Sequence, residues 1–285
     1  MSNILIFNNL KYKYHYEIIE SVIHKYNELL NIDKDKNDKL YITYSDKNVI
    51  NFTKYITTKY PNILINKDIK NTKIDFIIHT TVYDRNFNNL NINNNSKQKY
   101  IAHEITDRLK TNPNVYFLTP LSKKNIFIAD ILPYNNEKKK SSIPIYIIQG
   151  NLNHGRRNLN LLIKILEQTY NFDFMIKLIG KGRIPRELIK YKNKIIVKAD
   201  LSFEEFHKEF LDVYCILPLI SKKTHPHYYT NKLTSTINYA RGYKLKCLID
   251  KDLQDIYNLP DVEIYNDIND IVKGFKNTLK EFYNQ

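Results

Sequence analysis

The chain has 285 residues, is 42% apolar, and carries a formal net charge of +14 with two cysteines. That length holds about two domains, each able to bury a core. No apolar run is long enough to span a membrane as a helix, and two cysteines are too few for a disulfide-framed fold. The start, Met1-Ser2-Asn3-Ile4, lacks a basic stretch followed by an apolar core. An intracellular, cytoplasmic and unprocessed protein is therefore expected. Only seven of the 44 basic residues are arginine, and the lysines are spread along the chain. Groove readers use arginine for bidentate base contacts. A solvated lysine surface is therefore the expectation, with no specific nucleic-acid partner. A weak attraction to anionic membrane surfaces, as a peripheral contact, is compatible with the charge.

The first half alternates strand and helix patterns. Asn3 to Phe7 reads as a short apolar strand, and Glu17 to Leu30 places Ile18, Val22, Ile23, Tyr26, Leu29 and Leu30 on one helical face. Leu40 to Tyr44 is the next strand, followed by a helical stretch through Val49, Phe52, Ile56 and Tyr60. Asp75 to His79 is a third strand. Arg85 to Ser96 is Asn-rich and aperiodic, a mobile loop by composition. Tyr100 to Ala102 and Val115 to Leu118 are later strands. Pro133 to Ser142 is polar and charged, and there the pattern breaks, as at a domain linker. The expected domains are 1–133 and 144–285.

The second half repeats the alternation. A strand from Pro144 to Gln149 leads to a helix with Leu159, Leu162, Ile163 and Leu166 on one face. Strands follow at Phe174 to Ile179 and Lys194 to Val197. Ser202 with Glu205 three residues on is a capping box, opening a helix that buries Phe203, Phe206 and Phe210. Val213 to Leu217 is an apolar strand ending at Pro218. A helix from about Asn231 to Arg241 stops at Gly242, a C-cap signal, and Leu245 to Ile249 is another strand. The last helix puts Ile268, Ile271, Val272, Phe275, Leu279 and Phe282 on one stripe and is expected to pack back toward the first domain. Cys215 and Cys247 lie inside apolar strands and read as buried thiols. The predicted class is α/β: two Rossmann-like, doubly wound domains facing across a cleft, with ligands at the carboxyl ends of the strands.

Two stretches carry the chemistry. All six glycines lie at Gly150 or later. Ile147 to Asn158 runs from strand into Gly150-Asn151-Leu152, then His154-Gly155-Arg156-Arg157. Lys177 to Gly182 runs into Gly180-Lys181-Gly182. A glycine turn admits close backbone approach, and a helix start with positive charge suits phosphate. The order of these turns resembles the nucleotide-sugar-binding domain of GT-B fold glycosyltransferases over residues 144 to 283. The other matching pieces are a Pro-containing helix from Pro185 to Ile189, an acidic helix from Leu201 to Leu211, Pro218 after a strand, and Lys232-Leu233-Thr234-Ser235 opening a helix.

The resemblance implies transfer of a sugar from a nucleotide-diphosphate sugar, with UDP among the candidate nucleotides, to a hydroxyl of a glycan, lipid or protein. It implies no metal and no cofactor beyond the donor. The donor would be held by Gly150, Asn151, Arg156, Arg157, Gly180, Lys181, Lys232, Leu233, Thr234 and Ser235. Many relatives have a Glu at the position of Ser235 for the ribose hydroxyls, and Arg at the position of Asn151. Ser235 therefore leaves open a non-catalytic relative that binds nucleotide or glycan. The charge leaves open a nucleic-acid binder, and a same-fold sugar-nucleotide epimerase is a further rival. The departing diphosphate gains charge, and arginine at a helix start answers that demand. An acid/base or sugar-positioning residue is expected after a strand of the first domain. The pair His103-Glu104, with Asp107 and Arg108 close by, is preferred to His79. His225-Pro226-His227 lacks a third ligand nearby and reads as a loop on the acceptor side.

Overall fold

In the computed structural model the described residues are 1–8, 15–44, 51–65, 69, 72–90, 95–133, 138–153, 156–182, 184–267 and 269–285. Val49, His154, Gly155, Arg183 and Ile268, and parts of the expected Asn-rich loop and linker, lie outside them. The chain forms two compact units. One comprises Met1–Leu132 with Asn231–Leu233, the other Pro133–Thr230 with Thr234–Gln285.

The first unit contains β1 (Asn3–Asn8), α1 (Tyr16–Leu30), β2 (Lys39–Tyr44), α2 (Phe52–Lys59), β3 (Leu64–Ile65), β4 (Phe76–Val82), β5 (Lys97–Ala102), α3 (Asp107–Lys110) and β6 (Val115–Phe117). Its strands order as β3-β2-β1-β4-β5-β6, all parallel. The continuous apolar runs of β1 and β4 are what a sheet covered on both faces requires; Ile4, Ile6, Ile77 and Ile78 are fully buried. β4 does not stop at His79. The β-branched Thr80, Thr81 and Val82 extend it, so His79 lies within the strand and not at its carboxyl edge. Part of the Asn-rich stretch, Asp84–Asn89, is a 3-10 turn.

The second unit contains β7 (Ile145–Asn151), α4 (Leu159–Thr169), β8 (Met175–Lys181), β9 (Ile195–Lys198), α5 (Phe203–Lys208), β10 (Cys215–Ile216), α6 (His227–Thr230), α7 (Ser235–Tyr243), β11 (Lys246–Asp250), α8 (Lys251–Tyr257), β12 (Val262–Tyr265) and α9 (Asp270–Tyr283). Its order, β12-β11-β10-β7-β8-β9, is the same winding as the first unit read from the other edge. Ser202 and Glu205 form the capping box at α5 with both hydrogen bonds present. Pro185 precedes a 3-10 turn, Arg186–Tyr191, instead of a full helix. α7 begins four residues later than the sequence suggests. Gly242 lies inside it, and Lys244, at φ 52°, is the left-handed C-cap. α9 packs within its own unit: Phe275 lies on Tyr146 and Phe174, and Thr278 bonds the Tyr146 hydroxyl.

Cys215 and Cys247 are buried thiols, and burial pushes both well above the ordinary thiol range. Both buried lysines of this unit are paired. Lys177 meets Glu209 and Asp212 at 3.0 and 2.6 Å, and Lys246 meets Asp261 and Glu281. In each sheet the chain winds outward from one central strand, first one way and then the other. The reversal falls between β1 and β4 in one unit and between β7 and β10 in the other. A doubly wound sheet opens its ligand crevice at that switch point, beyond the carboxyl ends of the strands.

Candidate functional site

At the carboxyl end of β7, Gly150 has φ 105°, and its register partner Gly180 at the end of β8 has φ 141°. A Cβ on Gly180 would fall 1.8 Å from the carbonyl oxygen of Gly150. These glycines are what let the two strand ends lie together. The turn then closes on itself: Leu152 donates to the Lys181 carbonyl at 2.7 Å, and Arg156 and Arg157 donate to that of Asn153. The two arginines therefore precede α4 in the turn and are not in its first helical turn.

Their side chains part company. Arg156 is exposed, whereas Arg157 is 3% exposed. Arg157 Nη2 donates to the Gln149 carbonyl at 2.7 Å and to Thr236 Oγ1 at 3.0 Å, and Nη1 donates to the Arg156 carbonyl. Its Nε has no partner and no carboxylate pairs with it among the described residues. Burial lowers its pKa, opposed by the Tyr228 hydroxyl. A guanidinium nevertheless stays charged at neutral pH. Gln149, buried at the end of β7, donates to Ser235 Oγ and Thr236 Oγ1, each at 3.2 Å. Thr234 caps α7 in position but its buried Oγ1 has no partner among the described residues. The end of β7, a buried cation and the amino end of α7 thus meet at the switch point. This arrangement suits an anion with several oxygens.

The other expected donor residues are placed differently. Lys181 is exposed, with Asp200 at 3.7 Å, and Asn151 accepts from the backbone of Asn153. Lys232 and Leu233 belong to the first unit. Lys232 pairs antiparallel with Glu104, its Nζ 3.1 Å from the carboxylate, and Ile105 donates to the Asn231 carbonyl. The other oxygen of Glu104 accepts from the Asp84 amide. Gln149 was not singled out from the sequence. A polar residue closing an apolar strand is the one signal that marks Gln149.

In the first unit, buried polar groups gather at the carboxyl ends of β1, β4 and β5: Asn8, Thr80, Thr81 and His103. His103 is 8% exposed and its Nε2 has no partner among the described residues. Burial first, then His15 and Lys232, hold its pKa well below the ordinary imidazole value. His79 bonds Gln98 at 2.9 Å and stacks on Tyr100, and burial lowers its pKa to about 4. His15 and Tyr83, which flank His103, were not foreseen. Among the described residues no three His, Cys, Asp or Glu side chains gather as a metal site, and no helix is long and apolar enough to cross a membrane.

No family model and no curated protein matches the chain. Solved structures do. A glycosyltransferase from Rickettsia africae ESF-5 aligns with a TM-score of 0.61 at 13% identity, over 99% of this chain and 89% of that one. Sucrose-phosphate synthase from Thermosynechococcus elongatus aligns with a TM-score of 0.56 at 10% identity, over 99% and 90%. UDP-GlcNAc 2-epimerase from Methanocaldococcus jannaschii, solved with UDP-GlcNAc and UDP, aligns with a TM-score of 0.50 at 11% identity, over 97% and 92%. The chain has the GT-B glycosyltransferase fold, two Rossmann-like α/β units each built on a six-stranded parallel sheet.

Proposed function

We propose that the protein is a metal-independent glycosyltransferase, moving a sugar from a nucleotide-diphosphate sugar to a hydroxyl of a glycan, lipid or protein. The observation that carries this reading is Arg157, a buried cation with no carboxylate among the described residues, beside the amino end of α7 and the glycine turn of β7. A leaving diphosphate supplies the missing negative charge, and fixed donors in a dry site stabilise it most. Gly150, Gly180, Arg156, Thr234 and Ser235 complete the donor side in this reading, with Asn151 and Lys181 at its rim. Lys232, in the first unit, holds Glu104. His103, with Glu104 beside it, acts on the sugar or on the accepting hydroxyl.

A thermal-shift screen against nucleoside diphosphates, starting with UDP, tests the donor site. A ligand at 100 times its Kd stabilises the fold by about 2.7 kcal/mol. Monophosphates should shift the midpoint far less, since phosphate contacts dominate. Equal shifts for mono- and diphosphate would remove the diphosphate site. Ser235 gives a second reading some support, because its hydroxyl already accepts from Gln149. A protein that binds the nucleotide without turnover would show the shift yet release no sugar from any donor.

A further inference from the structure

Gln149 is an amide near the end of an apolar strand and is 2% exposed. An amide is buried at low cost only where it is hydrogen-bonded. Its Nε2 donates to Ser235 Oγ and to Thr236 Oγ1, each at 3.2 Å. Arg157 Nη2 donates to the same Thr236 Oγ1 at 3.0 Å. All four residues belong to the second unit. An amide nitrogen and a guanidinium nitrogen only donate, whereas a hydroxyl has two lone pairs and one proton. Both lone pairs of Thr236 Oγ1 are thus taken, and one of Ser235 Oγ. Neither hydroxyl gives its proton to these partners, and neither proton has an acceptor among the described residues. Thr234 and Thr236 are buried, and Ser235 between them is half-buried, so Ser235 is the hydroxyl that a ligand can touch. Ser235 also opens α7, where the first N–H groups have no partner within the helix.

We propose that Gln149 is a positioning residue for Ser235: by filling an acceptor side of that hydroxyl it leaves the Ser235 proton to be given, and Ser235 gives it to a phosphate oxygen. Ionised phosphate oxygens only accept. They match a cluster that only donates, made of Arg157, the first N–H groups of α7 and Ser235. The part of the nucleotide at Ser235 is then the diphosphate and not the ribose, whose hydroxyls are characteristically held by a carboxylate acceptor. The inference rests on the reading of this crevice as a diphosphate site, and it adds which end of the nucleotide Ser235 holds.

Inorganic pyrophosphate carries the phosphates without a ribose, and UDP carries both. Calorimetric titration of the full chain compares these two ligands on the parent, on Ser235→Ala, on Gln149→Met and on the double variant. Ser235→Ala should weaken both ligands by the same factor, about tenfold for a bond to a charged group. Gln149→Met keeps the bulk of the side chain and removes the amide. It should weaken both ligands several-fold in the parent and change Ser235→Ala little, because it acts through that hydroxyl. A loss in Ser235→Ala confined to UDP would place Ser235 at the ribose and overturn the proposal. An equal loss from Gln149→Met with and without the Ser235 hydroxyl also overturns it, since a structural role of the amide would act in both backgrounds. No loss from Gln149→Met in the parent does the same. The Ser235→Ala comparison decides by itself if Gln149→Met fails to fold. Pyrophosphate that binds the parent no better than it binds Arg157→Gln would remove the diphosphate site and this proposal with it, whereas each of the other outcomes leaves that site standing.

Discussion

Arg157 and Lys177 are both buried cations of the second unit, and they differ in what surrounds them. Lys177 has Glu209 and Asp212, so its charge is settled within the fold. Among the described residues Arg157 has only a carbonyl-and-hydroxyl cradle, which orients the guanidinium without neutralising it. Arg157→Gln should therefore lower nucleoside-diphosphate affinity tenfold or more, at about 1.5–3 kcal/mol per charge-assisted bond. Arg156→Ala, at an exposed site, should change it only a few-fold. Calorimetric titration of both variants, with folding checked by circular dichroism, decides the matter, and equal losses would refute the distinction. Gly180→Ala is a separate residue-scale case. Its Cβ would strike the Gly150 carbonyl, at a φ that alanine avoids. A loss of about 3 kcal/mol or more in urea unfolding is expected, and a change below 1 kcal/mol would mean the strand ends can separate freely.

Elements carry their own tests. α5 is six residues long and depends on its capping box, both halves of which are formed. Ser202→Ala should cost about 1 kcal/mol, read as a shift in urea midpoint; no shift would show that packing of the buried His207 against Tyr243 holds the helix alone. In β4, His79 is neutral when folded, its pKa lowered to about 4 by burial. The unfolded chain protonates it near its ordinary value of about 6.5. The unfolded state thus binds the extra proton between those values, so stability is full above about pH 6.5 and falls as pH drops toward 4. His103 acts in the same direction. His79→Gln should flatten the decline by up to about 3 kcal/mol, measured as urea stability at several pH values. A decline as steep as the parent's would assign the acid sensitivity to other groups.

At the scale of the molecule, each unit has its own sheet and its own buried core. Ligand protection should therefore be confined. Hydrogen exchange with and without a nucleoside diphosphate should slow amides in 145–182 and 234–243 while leaving β1 to β3 unchanged. Protection concentrated in the first unit would move the diphosphate site there.

The alternation of apolar runs, the glycine turns and the Ser202 capping box are local patterns. Period, turn chemistry and caps act over a few residues, so the class of fold and most elements could be read directly. β3 and β12 escaped, although strands as short as β9 and β10 were found within apolar runs, and His79 was misplaced because β4 continues through the β-branched Thr80, Thr81 and Val82. The site depended on distance along the chain. Arg156 and Arg157 are adjacent and look alike in sequence. Burial and a hydroxyl 79 residues away separate them. Lys232 opens what reads as a helix, yet its partner is Glu104. His15, at a helix start, gives no sign that it stacks on His103. Sequence alone determined where the chain turns and which residues carry charge. Only the tertiary structure decided which charges are answered within the fold and which are not, because desolvation and ion pairing depend on residues that folding alone brings together.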